Sequence, residues 1–334
     1  MTFNFLPQRV SSGMNFLSND HIWLLPPRTG SRATFDTMHL NGINIVQTNG
    51  HTFAGARPYT HALEIPEEYS KYPVIVNVRN PYTLVFSQWK LAQSLAIRPY
   101  SPYLDILDKM PLWFDEVKNG EDGTTATKVY LSNPPVLDSF KDWMKISKNK
   151  KIAQKYVDDG KVVLYKPKKL PEKIDYIVRL ENYKEDILKV PGVTKLNTTN
   201  PCTTQYNSTL LKYVIVCLTL FDNYNTNYFT SFIENNPKIY NAIFKTTPKS
   251  YSQIQLKKLY GQLKEIPDNK LKTFLRNFFI VPDGFKEKVK LIDLYTLYSE
   301  DWRSFYTQEL ADMVYENMQE WFERFNYDRD SWKK

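Results

Sequence analysis

Pro27-Arg28-Thr29-Gly30-Ser31-Arg32-Ala33-Thr34 follows the apolar run His21-Ile22-Trp23-Leu24-Leu25 and decides how the chain is read. An apolar run of this length, closed by Pro26-Pro27, predicts a buried strand. Ser31 predicts a helix N-cap. Arg32 to Leu40 predicts an amphipathic helix with Phe35, Met38 and His39 on nearby faces and Gly42 just past its end. Strand, glycine turn, hydroxyl residues and helix N-terminus together form a cradle for an anion. The first N–H groups of a helix lack internal partners, and the helix dipole favours negative charge there. Two arginines in the same turn point to phosphate or sulfate.

A second segment narrows the ligand. Val74-Ile75-Val76-Asn77-Val78 is β-branched and almost wholly apolar, which predicts another buried strand. Arg79-Asn80-Pro81-Tyr82 comes next, and Ser87 stands about two helical turns beyond Arg79. Arg79 is thereby placed at the carboxyl end of its strand, where parallel sheets bind their ligands. Both segments aim at one crevice, and a ligand with two anionic ends is expected in it.

On these residues the chain resembles the PAPS-dependent sulfotransferases. Pro27-Arg28-Thr29-Gly30-Ser31 is similar to the loop that holds the 5′-phosphosulfate in that family, with Arg where cytosolic members have Lys, as in some carbohydrate sulfotransferases. Arg79-Asn80-Pro81 followed by Ser87 is similar to the segment that binds the 3′-phosphate. Ile177-Val178-Arg179-Leu180-Glu181-Asn182 looks like the family's Arg-x-Glu-Asn strand end. Tyr306 through Phe325-Asn326-Tyr327-Asp328 looks like its closing segment. The likeness covers residues 18–200 and 300–330. It implies a P-loop-NTPase-like α/β fold with a central parallel sheet flanked by helices. It also implies transfer of a sulfuryl group from PAPS to a hydroxyl or amine of an acceptor such as a carbohydrate, leaving PAP. The cofactor-binding residues it implies are Arg28, Thr29, Gly30, Ser31, Arg32, Ala33, Thr34, Arg79 and Ser87.

Sulfuryl transfer is an in-line displacement that depends on positioning and charge stabilisation. Arg28 is the candidate cation for the charge that grows on the leaving phosphate, helped by the N–H groups of Gly30 to Thr34. Arg32 either shares that phosphosulfate or faces solvent. Arg79 and Ser87 are the candidates for the 3′-phosphate; the alternatives are a strand-end salt bridge and a hydroxyl bonded to its own helical turn. The acceptor must also lose a proton. His51, in Asn49-Gly50-His51-Thr52-Phe53, resembles the base-bearing loop of the uronyl 2-O-sulfotransferases and is the first candidate base. His61 is the second and Glu64 the third; a neutral histidine suits general-base work near pH 7. His21 and His39 read as structural. Cytosolic members stack adenine on a tryptophan at the position of Ala33, so the platform must come from elsewhere here, with Trp89 and Tyr82 as candidates that no motif supports. No metal is expected, because arginines and N–H groups neutralise the phosphosulfate and no ligand cluster is visible.

A chain of 334 residues can bury one large or two ordinary cores. A single domain over 1–334 is expected, with residues 200–300 as a helical insertion. The Leu and Tyr spacing around Ile254 to Phe279 is helical, and Pro267 splits it in two. Residues 101–135 carry four prolines and two glycines and read mostly as loop. Ile43 to Gln47, Lys161 to Tyr165 and Tyr176 to Leu180 read as strands, and Ser139 to Ile146 as a helix. The closing helix puts Leu310, Val314, Met318, Trp321 and Phe325 on one face, as core packing requires. Only Cys202 and Cys217 are present, which argues against a disulfide framework. With no basic-then-apolar leader, and with Tyr213 to Phe221 too short to span a bilayer, a soluble cytoplasmic protein is expected. The net charge of +8 suits an anionic cofactor, an acidic acceptor or nucleic acid. The lysine groups at Lys148, Lys150, Lys151 and at Lys166, Lys168, Lys169 read as solvated faces. No zinc-finger or glycine-aromatic RNA motif accompanies them, so nucleic acid is not the expected partner. A P-loop kinase would need the G-x-x-x-x-G-K-[ST] loop, which is missing. A non-catalytic protein that binds PAP remains the other alternative.

Overall fold

The apolar run at 21–25 and the β-branched run at 74–78 form neighbouring parallel strands, and the rest of the sheet is built around them. The computed structural model describes residues 16–18, 21–26, 28–43, 45–47, 65, 67, 70–97, 129–130, 138–158, 164, 170–196, 217, 220–235, 240, 257, 260–281, 283–288 and 302–333. The candidate bases His51, His61 and Glu64 lie outside the described residues. So do Cys202, the lysines at 166–169 and, apart from Leu164, the expected strand over Lys161 to Tyr165.

The chain runs through β1 (Phe16–Ser18), β2 (His21–Leu24), α1 (Ser31–Leu40), β3 (Ile45–Gln47), β4 (Val74–Val78) and α2 (Pro81–Ile97). It continues through β5 (Val129–Tyr130), α3 (Phe140–Lys148), α4 (Lys150–Asp158), β6 (Tyr176–Arg179) and α5 (Tyr183–Ile187). After these come α6 (Thr226–Glu234), α7 (Asp268–Phe278), β7 (Phe279–Ile280), α8 (Phe285–Lys288) and α9 (Gln308–Arg324). The chain divides into two compact units. One comprises Met1–Leu91, Phe140–Asn200 and Glu300–Lys334; the other comprises Ala92–Ser139 and Pro201–Ser299.

The first unit is an α/β fold, a small parallel sheet flanked by helices. Its five strands lie in the order β3-β1-β2-β4-β6. β2, β4 and β6 are parallel, with Ile22 opposite Val74 and Val76 opposite Ile177. β1 runs antiparallel to both β2 and β3, so the sheet is mixed and not wholly parallel as the sequence suggested. From β2 the chain leaves through α1 towards β3 on one side; from β4 it leaves through α2 towards β6 on the other. The strand order therefore reverses between β2 and β4. In open α/β sheets that reversal leaves a crevice at the carboxyl ends of the two strands.

Burial explains why these segments are strands. All five side chains of β4 are buried, as a central strand covered on both faces requires. Each Val or Ile buried there contributes about 1.5–3 kcal/mol. Trp23, Leu25, Met38, Ile75, Val178 and Ile187 belong to one core cluster that joins α1 and α5 to the sheet. On α9, Leu310, Val314, Met318, Trp321 and Phe325 are all buried, which is the face their spacing predicted. The Thr307 hydroxyl caps that helix by accepting from the Leu310 N–H. α1 begins differently from the expectation. Gly30, at φ 89, occupies the N-cap position, no side chain caps the helix, and Ser31 is its first residue.

In the second unit, residues 260–265 are helical, Pro267 interrupts, and α7 follows, as the proline predicted. Asn225 caps α6 by accepting from the Tyr228 N–H at 2.7 Å, and the Thr226 N–H donates to Asp268 at 2.8 Å, tying α6 to the start of α7. β5 and β7 pair in parallel, which the sequence did not reveal. Among the described residues no helix is long and apolar enough to cross a membrane.

Candidate functional site

The two arginine-bearing turns meet at the carboxyl ends of β2 and β4. Arg28 sits in the left-handed region at φ 66, which costs a non-glycine residue about 1–2 kcal/mol. Such strain persists only where neighbours hold it, and it concentrates at functional sites. Here the Thr29 N–H and hydroxyl both donate to the Pro26 carbonyl, at 3.3 and 2.7 Å. The Arg79 guanidinium donates to the Arg28 carbonyl at 3.2 Å, and Arg28 Nε donates to the Ser87 hydroxyl at 2.9 Å. Ser87 accepts in this hydrogen bond, so its own O–H remains a donor. The φ of 89 at Gly30 favours glycine, and a side-chain carbon there would stand 2.7 Å from Leu180 Cδ1, so that the end of the leucine side chain would have to shift.

Directly beyond Gly30, the first turn of α1 has no capping side chain and no acidic residue. The N–H groups of Ser31, Arg32 and Ala33 have no acceptor within the helix, and the dipole concentrates positive potential there. Beneath this turn lies Asn77, the one polar residue of β4, which is fully buried. Its Nδ2 donates to the Thr29 carbonyl at 3.2 Å and to the Thr34 hydroxyl at 2.6 Å. Its Oδ1 is buried without a partner. An unmatched buried acceptor costs about 1–3 kcal/mol.

The Arg79 turn is held by protein groups throughout. Asn80 Oδ1 accepts from the Tyr82 N–H at 3.0 Å, and Pro81 takes the first helical position, where its missing N–H costs nothing. The Asn80 N–H donates to Glu181 at 2.9 Å, and Tyr327 donates to the other oxygen of Glu181 at 3.1 Å. Trp321 Nε1 donates to the Arg79 carbonyl at 3.0 Å, and the Tyr306 hydroxyl to the Tyr82 carbonyl at 2.7 Å. Tyr82 in turn donates to the Arg329 carbonyl at 2.6 Å, and Asn80 Nδ2 to Ser331 at 3.0 Å. Arg79 Nε is fixed on Thr83 at 2.9 Å. Burial raises the Tyr306 and Tyr82 phenols above their usual range, and burial followed by the Glu181 charge does the same for Tyr327. All three therefore stay protonated donors at any pH where the protein works.

The structure thus brings Arg28, Arg79 and Ser87 into one hydrogen-bonded set, with partly exposed Gly30, Ser31 and Ala33 beside them at the turn and in the first turn of α1. Arg32 lies in the first turn of α1. The Thr29 and Thr34 side chains are fully buried and occupied by Pro26 and Asn77, and their N–H groups donate to the Pro26 and Gly30 carbonyls. The adenine platform suggested for Trp89 or Tyr82 is not there. Trp89 is fully buried among Phe86, Phe140 and Phe305, and Tyr82 among Trp302, Tyr306 and Phe322. A ring enclosed on both faces cannot stack on a base. His21, at the start of β2, has its ring 6.2 Å from that of Tyr176, and His39 is exposed near the end of α1. Among the described residues no three His, Cys, Asp or Glu side chains gather as metal ligands would.

Two participants escaped the sequence reading. Asn77 carried a signal, a lone amide in an otherwise apolar strand. Trp321 was legible only as core, because nothing local shows that its indole N–H reaches Arg79. Comparison with known protein families, with curated proteins and with solved structures finds no match for this chain.

Proposed function

We propose that the chain is a PAPS-dependent sulfotransferase that transfers a sulfuryl group to a hydroxyl or amine of an acceptor, with carbohydrates the first class to test. The observation that carries this reading is the mutual contact of the two turns, Arg79 on the Arg28 carbonyl and Arg28 on Ser87. Two guanidinium groups, a serine hydroxyl and an uncapped helix N-terminus at one strand-order reversal are a donor set suited to a nucleotide with an anion at each end. The other two segments of the resemblance join the same set. Glu181 holds the Asn80 N–H, and Tyr327 holds Glu181.

PAPS supplies, when bound, a sulfuryl group activated on its 5′-phosphate. Arg28 and the N–H groups of Gly30 to Ala33 stabilise the negative charge that develops as the sulfur–oxygen bond to that phosphate breaks. Arg79 and Ser87 hold the 3′-phosphate and so exclude nucleotides that lack one. The acceptor's proton passes to a base as its oxygen or nitrogen bonds to sulfur; His51, His61 and Glu64 are the candidates.

Transfer from radiolabelled PAPS to a panel of acceptors tests this reading. Arg28→Ala should lower turnover by about a hundredfold or more, whereas Arg79→Ala should chiefly raise the KM for PAPS. Equal turnover by wild type and Arg28→Ala contradicts the assigned role. Tight binding of PAP without transfer to any acceptor would favour a non-catalytic nucleotide-binding protein, and preference for ATP a kinase-like one.

A further inference from the structure

Asn77 is a group whose presence the fold alone does not explain. It sits between Val76 and Val78 in the middle of the parallel sheet, fully buried, with an oxygen that has no partner. A valine or isoleucine would suit the strand, pack at least as well and leave no orphan acceptor. What an apolar residue cannot do is donate. Asn77 Nδ2 bridges two points on either side of Gly30, the Thr29 carbonyl at 3.2 Å and the Thr34 hydroxyl at 2.6 Å. The same nitrogen lies 3.9 Å from where a side-chain carbon on Gly30 would stand, so it supports the turn from directly below.

We propose that Asn77 is a positioning residue that sets the direction of the Gly30 to Ala33 N–H groups and thereby builds the end of the site that takes a 5′-phosphate. This rests on the reading of the two turns as a nucleotide site and deepens it. The end of the ligand at Arg79 and Ser87 shares the Arg28 contacts but has further supports, Thr83, Glu181, Trp321 and Tyr306, that do not pass through Asn77. Loss of the amide should therefore be felt chiefly at one end of the nucleotide.

Calorimetric titration of wild type and Asn77→Val with PAP and with adenosine 3′-monophosphate separates the two ends. The second nucleotide lacks the 5′-phosphate. Asn77→Val should bind PAP about five- to tenfold more weakly, the worth of one or two neutral hydrogen bonds, and should bind the monophosphate as wild type does. Thr34→Val, which removes one of the two acceptors and also the Thr34 contact with Tyr183, should show a loss for PAP no larger than that of Asn77→Val, and the double variant should lose no more than Asn77→Val. Amide hydrogen exchange at residues 29–34, measured without nucleotide, should be faster in both single variants. Unchanged exchange and unchanged PAP affinity overturn the proposal, as does an equal loss for both nucleotides, which a general loosening of the sheet would give. Failure of wild type to bind PAP overturns the nucleotide reading; the exchange data then decide separately whether Asn77 orders the turn.

Discussion

The Arg28 turn and the Arg79 turn follow neighbouring parallel strands and each leads into a helix, yet they are stabilised in opposite ways. The Arg28 turn holds a left-handed arginine, enters α1 through glycine and leaves the helix N-terminus uncapped. The Arg79 turn is capped by Asn80, starts on Pro81 and has its carbonyls and N–H groups taken by Trp321, Tyr306 and Glu181. The first turn offers backbone donors together with a guanidinium. The second has its backbone engaged by the protein and offers a side chain alone. One site thus combines a shape-forming cradle that carries its own guanidinium with a second, firmly mounted one.

The contrast can be broken at specific residues. The largest effect is expected at Gly30→Ala, where positive φ and contact with Leu180 Cδ1 act together. Urea denaturation should show a loss of about 2–4 kcal/mol, and a loss below about 1 kcal/mol would mean the turn readjusts freely. Tyr306→Phe keeps the ring but removes the side-chain donor to the Tyr82 carbonyl, for an expected loss of about 0.5–1.5 kcal/mol in the same assay. Asn80→Ala removes a helix cap and should cost about 1 kcal/mol. If Asn80→Ala proves as damaging as Gly30→Ala, the two turns are not built on different principles.

The smallest effect lies outside both turns, at Asp186. Burial opposes its charge, but Lys189, the Arg179 N–H and the Arg179 guanidinium more than offset this and hold its carboxyl below the usual aspartate range. A depressed folded pKa contributes stability that is complete above the unfolded value of about 3.9 and is lost as pH falls through the folded one. Wild type should therefore exceed Asp186→Asn in stability at neutral pH, and their thermal melting curves should converge on acidification. A gap that widens in acid would contradict the assignment.

Much of the first unit was legible because its signals are local. β2 and β4 announce themselves by runs of buried apolar residues, α9 by the spacing from Leu310 to Phe325, and the start of α2 by Asn80-Pro81. β1 was not legible. Three residues, Phe16 to Ser18, carry no periodicity, and their strand character comes from partners in β2 and β3. The same physics hid the support of the Arg79 turn. Trp321 and Tyr306 lie more than 200 positions away in the chain, and a helical face reads as core whether or not its indole also donates to a carbonyl. Asn77 stood in plain view, but an amide inside an apolar strand becomes informative only once its neighbours are known. The candidate platform at Trp89 and Tyr82 failed for a related reason: aromatic spacing cannot tell a ring that lines a cleft from one enclosed by other rings.

The central claim is that two separately built turns grip opposite ends of one nucleotide. Calorimetric titration with PAP and ADP tests it most directly, since both carry two phosphate groups and differ in where they are placed. The account predicts that PAP binds at least about tenfold more tightly, the worth of one charge-assisted hydrogen bond from the 3′-phosphate to Arg79 or Ser87. ADP binding as tightly as PAP, or more tightly, would contradict it.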